Sequence, residues 1–136
     1  MISIFNRYCN ELKVIDGIIF PENNINGLSA NHLFIIRIIP ELWIINRDDL
    51  ISKLNNEGIG TSVHYIPVHI QPYYQRRYGK YELPGCNKFY ENCLSLPLFT
   101  GMNKADVRRV SVELENTVFK GYVDWLPRLL LAVVAA

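Results

Sequence analysis

The chain has 136 residues, 49% of them hydrophobic and 20% charged, which is a globular composition well outside the regime of disorder. Fourteen basic residues against thirteen acidic ones leave a formal net charge of +1, without the basic excess of a general nucleic-acid binder. Three scattered cysteines make no disulfide framework and point to a reducing, cytoplasmic compartment.

The opening stretch, Met1 to Leu12, carries Arg7, Asn10 and Glu11, so it is not the apolar region of a secretory leader. The longest uncharged apolar run, Leu129 to Ala136, is far shorter than the roughly 20 residues of a membrane-spanning helix. Composition therefore predicts one soluble domain with no membrane partner.

The first predicted element is a helix over Ile4 to Val14, with Ile4, Tyr8, Leu12 and Ile15 on one stripe. No N-cap precedes the stripe, so this reads as the end of a longer helix, stopped by Asp16-Gly17. Ile18-Ile19-Phe20 is a short strand ended by Pro21, and Glu22 to Ser29 is an Asn/Gly-rich loop. His32 to Ile39 is a nearly continuous β-branched run, predicting a strand covered on both faces and ended by Pro40.

Asn46 caps a helix that opens with Asp48 and Asp49 and buries Leu50, Ile51 and Leu54, with Gly58 just past its end. Thr61 to Ile66 reads as a second strand, cut by Pro67. A short helix follows over Gln71 to Tyr78, then another over Pro84 to Leu94, each with a proline at an acceptable early position. Ser95-Leu96-Pro97-Leu98 is extended. The last helix runs from Lys104 to Phe119, capped by Asn103, with Val107, Val110, Leu114 and Val118 at helical spacing and Gly121 beyond.

Strands alternating with helices predict an α/β or α+β layer, with helices packed on a small sheet. A compositional break follows it. Isoleucine does not occur after Ile70, nor asparagine after Asn116. Residues 121–136 form an atypical apolar tail, either a docking helix or foreign sequence; exposed, it would be a sticky patch.

The densest chemistry lies in Gly58 to Tyr74, where two histidines, three tyrosines and two prolines occupy a strand end and the loop after it. The residues alone leave His64 open between a core role and a binding role, and His69 between a cap and a ligand. Zinc is disfavoured: the two histidines are five positions apart, so a strand sends them to opposite faces, and no paired cysteine spacing completes a tetrahedron. Cys86 and Cys93 would share one helix face about 10 Å apart, too far for a disulfide. Nothing marks a cysteine as an activated nucleophile. Gly58-Ile59-Gly60 is too little for a phosphate loop. Arg76, Arg77 and Lys80 fit a solvated helix face or a phosphate contact, and Asp48-Asp49 serves the helix dipole.

The segment Val63-His64-Tyr65-Ile66-Pro67-Val68-His69-Ile70-Gln71-Pro72-Tyr73-Tyr74 resembles a motif near the C-terminus of the DegT/DnrJ/StrS family, the pyridoxal-phosphate-dependent sugar-nucleotide aminotransferases. The likeness continues through Leu83-Pro84, Ser95-Leu96-Pro97-Leu98-Phe99 and Asn103-Lys104-Ala105-Asp106-Val107. Upstream, Asn31 to Arg37 resembles the family's small-domain strand, and Arg7 to Leu12 the end of its interdomain helix. The branch it resembles acts on 4-keto-6-deoxy-N-acetylhexosamine nucleotides, making UDP-4-amino-4,6-dideoxy-N-acetyl-beta-L-altrosamine.

The resemblance implies the α/β (α+β) small-domain fold of fold-type I transferases over residues 1–120, a small, mainly antiparallel sheet with packed helices. It also implies transfer of an amino group from glutamate to a UDP- or dTDP-keto sugar, pyridoxal phosphate as cofactor, and homodimers in the intact enzymes. His64 and Tyr65 match positions lining the sugar-nucleotide side of the cleft, as a hydrogen-bonding group and an aromatic surface. His69 and Gln71 are further substrate-binding candidates in the same loop. Arg37 matches a strand position and could equally form an ion pair within the domain. The cofactor-bearing lysine and the cofactor-phosphate loop belong to the family's large domain, and Lys13, Lys53, Lys80, Lys88, Lys104 and Lys120 do not resemble that lysine's motif. The resemblance thus implies a chain unable to transaminate by itself. A binding module without cofactor, or a decayed gene product, is the alternative.

Overall fold

A computed structural model describes residues 2–21 and 29–118. The apolar tail, the end of the last predicted helix and most of the 22–29 loop lie outside the described residues. Helix α1 spans Ile2–Leu12, strand β1 Ile18–Ile19 and strand β2 Phe34–Ile38. Helix α2 spans Arg47–Asn56, α3 Pro72–Tyr78 and α4 Pro84–Asn92, followed at once by strand β3, Cys93–Leu96. A last helix, α5, runs over 104–118.

The three strands form an antiparallel sheet in the order β1-β2-β3. Register divides its two faces. Phe34 lies opposite Leu96 and Ile36 opposite Leu94, and these four point into the main core with Ile38. On α1, Phe5, Tyr8 and Leu12 pack there; the Phe34 ring meets Phe5 at 4.9 Å and Tyr8 at 4.8 Å between centroids. Leu50 and Leu54 of α2 and Val107, Val110 and Leu114 of α5 close the same cluster. Each fully buried side chain of this size contributes roughly 1.5–3 kcal/mol. Tyr8 carries a hydroxyl into the core and donates it to the Pro97 carbonyl at 2.9 Å. Burial, with the Asp106 charge adding to it, raises the phenol's pKa well above its ordinary value.

The second face carries Ile35 opposite Ser95 and Arg37 opposite Cys93. Here β2 is only half-covered, whereas β3 is buried along its length. The strand expected over His32 to Ile39 to be covered on both faces is thus fully covered on one only: β2 alternates, and it is β3 that is buried throughout. Arg37 forms no ion pair among the described residues and lies over the Phe89 ring of α4, 5.5 Å from its centroid.

Several predicted boundaries move, and two of the shifts bear on the site. The helix expected over Pro84 to Leu94 stops at Asn92, because pairing with β2 claims Cys93 and Leu94. Cys93 is therefore buried in a strand and Cys86 is exposed on α4, so they share no helix face. The strand expected over Thr61 to Ile66 is reduced to one bridge, Ser62 to Ser95. Beyond Ser62 the chain turns off the sheet and has no partner strand to follow.

The corner between α4 and β3 is held from α2. Arg47, nearly buried at the first turn of that helix, donates Nη1 to the carbonyls of Tyr90 (3.1 Å) and Cys93 (3.2 Å). Its guanidinium also lies 5.2 Å from the centroid of the Tyr90 ring. Between α1 and α5, Glu11 accepts from Arg7 and Arg108, each at 2.7 Å, and the Arg108 hydrogen bond is the main cause holding its carboxyl below the ordinary range. No helix among the described residues is long and apolar enough to cross a membrane.

Candidate functional site

The site grows out of the Ser62–Ser95 bridge. The two backbones exchange both hydrogen bonds, Ser95 N–H to Ser62 O at 2.7 Å and Ser62 N–H to Ser95 O at 3.3 Å. Residues paired in this way point their side chains to one face. Both hydroxyls meet there at the His64 ring: Nδ1 lies 2.7 Å from Ser95 Oγ and 3.3 Å from Ser62 Oγ. The imidazole thus rests on the sheet's second face, half-buried.

Tyr65 follows through a cis peptide and sets its ring edge-on to His64, with centroids 4.7 Å apart and planes 87° apart. It is 76% exposed. The pair presents one polar ring edge and one broad aromatic surface to the outside.

The other two expected site residues hold the loop. Gln71 donates its side-chain amide to the Ile66 carbonyl at 3.1 Å, closing the turn around Pro67. His69 sits in a short 3-10 turn, Val68–Ile70, and its Nε2 lies 2.8 Å from Asn87 Oδ1 on α4. The loop is therefore tied to the sheet through His64 and to α4 through His69, at two separate points. Asn87 and Ser62 lie outside the segments that carry the resemblance, and Ser95 opens one of them without any sign that it meets His64. Only the position of Ser62 two residues before His64, on one strand face, hints at a meeting of that pair.

Beside α3, a pocket of about 340 Å³ is lined by Val68, His69, Tyr74, Tyr78, Gly79 and Tyr81. A second of about 430 Å³ lies between Gly58–Gly60 and the start of α5. Neither is lined by His64 or Tyr65. Tyr65, Ile66, Val68, Tyr73, Tyr78, Tyr81 and Leu83 are all exposed. That density of uncovered apolar side chains marks an interaction face more than an ordinary solvated loop.

No group of three His, Cys, Asp or Glu side chains among the described residues could hold a metal ion. Nor do these residues fit pyridoxal phosphate. The described lysines are exposed except Lys53, which is half-covered on α2, so none is the enclosed amine such a cofactor needs. Arg76, Arg77 and Lys80 are exposed, and Arg77 is occupied by the Tyr73 and Tyr78 hydroxyls.

A sequence profile of the DegT/DnrJ/EryC1/StrS aminotransferase family matches residues 2–115, from α1 into α5. The chain belongs to that family. The spore coat polysaccharide biosynthesis protein SpsC of Bacillus subtilis is 38% identical over 122 residues, covering 88% of this chain and 31% of SpsC. Among solved structures, the aminotransferase TlmJ of Streptoalloteichus hindustanus superposes with a TM-score of 0.76 at 25% identity, covering 87% of this chain and 30% of TlmJ. Helicobacter pylori PseC, an aminotransferase involved in pseudoaminic acid biosynthesis, has a TM-score of 0.78, covering 87% of this chain and 32% of PseC. At 21% identity that last likeness is one of fold. The chain thus spans about a third of the length of the family members it matches.

Proposed function

We propose that this chain is the small-domain part of a cytoplasmic sugar-nucleotide aminotransferase, occupying positions 1–120, and that it contributes the sugar-nucleotide wall of the active site. The observation that carries the reading is the family match running unbroken from α1 into α5, across the whole His64–Gln71 loop. The reaction proposed is transfer of an amino group from glutamate to a keto sugar nucleotide of the 4-keto-6-deoxy-N-acetylhexosamine type.

His64 offers a ring nitrogen to an oxygen of the substrate, and Tyr65 offers its face to a sugar or base. His69 and Gln71 keep the loop in shape through Asn87 and Ile66. Pyridoxal phosphate is held by the part of the enzyme that this chain does not supply. Alone, the chain binds one side of a substrate and carries out no transamination. The uncovered apolar side chains between Tyr65 and Leu83 support this division, since a second wall must cover them to form a closed site.

The test is complementation. The chain is co-expressed with a polypeptide carrying the remaining two thirds of a family member such as SpsC. The purified complex is then assayed with glutamate and a UDP-4-keto-6-deoxy-N-acetylhexosamine. Activity of the complex, with none from either part alone, is the expected result. A stable complex that is inactive, or no complex at all, overturns the proposal.

A further inference from the structure

We infer that Ser95 is a positioning residue: its buried hydroxyl fixes the tautomer of His64, so that the imidazole presents Nε2–H as a donor to an oxygen of the ligand. The inference rests on the binding role proposed above for His64, and it adds which nitrogen acts and what sets it.

The argument starts from hydrogen-bond accounting. Ser95 is 4% exposed, within β3, in register with Ile35 on one side and Ser62 on the other. Its hydroxyl must donate a proton, and a buried donor left unpaired costs about 1–3 kcal/mol. Among the described residues the one acceptor within reach is His64 Nδ1, at 2.7 Å. The Ser95 O–H therefore points at Nδ1, which accepts. An imidazole accepting at Nδ1 carries its proton on Nε2 when neutral. The opposite arrangement, Nδ1–H donating to Ser95 Oγ, would leave the serine proton sealed in the sheet without a partner.

Ser62 stands differently. Its hydroxyl is exposed and 3.3 Å from the same nitrogen, so water can replace it. His64 Nε2 bonds to none of the described residues and is not sealed from solvent. The ring therefore has one edge locked into the sheet and one edge free. A free N–H held by a strand is a preorganised donor for a carbonyl, hydroxyl or phosphate oxygen.

The experiment is long-range nitrogen–proton NMR of the 15N-labelled chain at mildly alkaline pH, with His64→Gln assigning the ring signals. The expected wild-type spectrum has a pyridine-like Nδ1 and a pyrrole-like Nε2, with no detectable second tautomer. Ser95→Ala should bring both nitrogens toward an average of the two tautomers, while Ser95→Thr and Ser62→Ala keep the wild-type pattern. A wild-type ring protonated on Nδ1 overturns the inference whether or not the Ser95→Ala variant folds. So does a folded Ser95→Ala chain whose ring signals match wild type.

The binding role is read separately, by titrating UDP-N-acetylglucosamine into the same samples. The His64 Nε2 signal should move in wild type, and Ser95→Ala should weaken binding about 5- to 10-fold. The expected tautomer without any ligand-induced shift supports the role of Ser95 and counts against the binding role of His64.

Discussion

Truncating Arg47 tests how the domain holds the shape of its site. This side chain is 8% exposed and reaches across 43 and 46 residues of sequence to the Tyr90 and Cys93 carbonyls. Hydrogen bonds to a charged group contribute about 1.5–3 kcal/mol, and the contact with the Tyr90 ring about 0.5–1 kcal/mol. One nitrogen serves both carbonyls, so they do not count twice. The ion pair with Asp48 adds little, because Asp48 is 79% exposed.

Arg47→Ala should therefore cost about 3 kcal/mol, Arg47→Lys about 1–2 kcal/mol and Asp48→Ala under about 0.5 kcal/mol. The assay is urea unfolding followed by circular dichroism. With a slope of about 1.5–2 kcal/mol per molar for a domain of this size, the midpoint of Arg47→Ala should fall by about 1.5–2 M. An Arg47→Ala midpoint within the range of Asp48→Ala would refute the reasoning. The corner matters for the site because α4 and β3 carry Asn87 and Ser95, the partners of His69 and His64. A destabilised corner should also broaden the ring signals of both histidines.

Three further outcomes follow from the core and its edges. Tyr8→Phe keeps the ring and strands the Pro97 carbonyl, so it should cost about 1–2 kcal/mol in the same unfolding assay. Gly17 has φ +78°, and a Cβ there would sit 2.6 Å from Trp43 Nε1, so Gly17→Ala should cost about 2–3 kcal/mol or more and lower the melting temperature. The Glu11 carboxyl is held below its ordinary value of 4.5 in the folded chain, chiefly by the hydrogen bond from Arg108. Its stabilising effect is complete above that value and is lost as pH falls through the lower, folded one, where the unfolded chain binds the extra proton. Urea midpoints measured between neutral pH and about pH 3 should therefore fall less steeply for Glu11→Gln than for wild type.

What the sequence made legible is the local grammar. Asn46 caps α2 as expected, its side chain accepting from the Asp49 amide at 2.9 Å, and Gly58 takes the positive φ of 70° that ends the helix. Asn103 caps α5 through the Ala105 and Asp106 amides, while Asp106 accepts from the Asn103 amide in return. Each of these signals lies within four residues of its effect. The α4–β3 boundary is harder, because Cys93 and Leu94 continue a helical apolar spacing and their strand state depends on β2, far back in the chain. The Thr61–Ile66 segment has strand residues, yet only Ser62 finds a partner. In the candidate site, His64 and Tyr65 could be named from the motif. The roles of Ser95, Asn87 and Arg47 could not, since each acts on a residue between 18 and 46 positions away.

The Ser62–Ser95 bridge has one more consequence, in the time domain. Along β3, residues face their hydrogen-bonding groups alternately to the two sides, so Ser95 serves the bridge while Leu94 and Leu96 serve β2. The first kind of bond belongs to a loop edge that can lift away on its own; the second belongs to the sheet. Amide hydrogen exchange should therefore read one short strand on two clocks. Ser95 keeps the time of the loop's opening, and its two neighbours keep that of the whole domain.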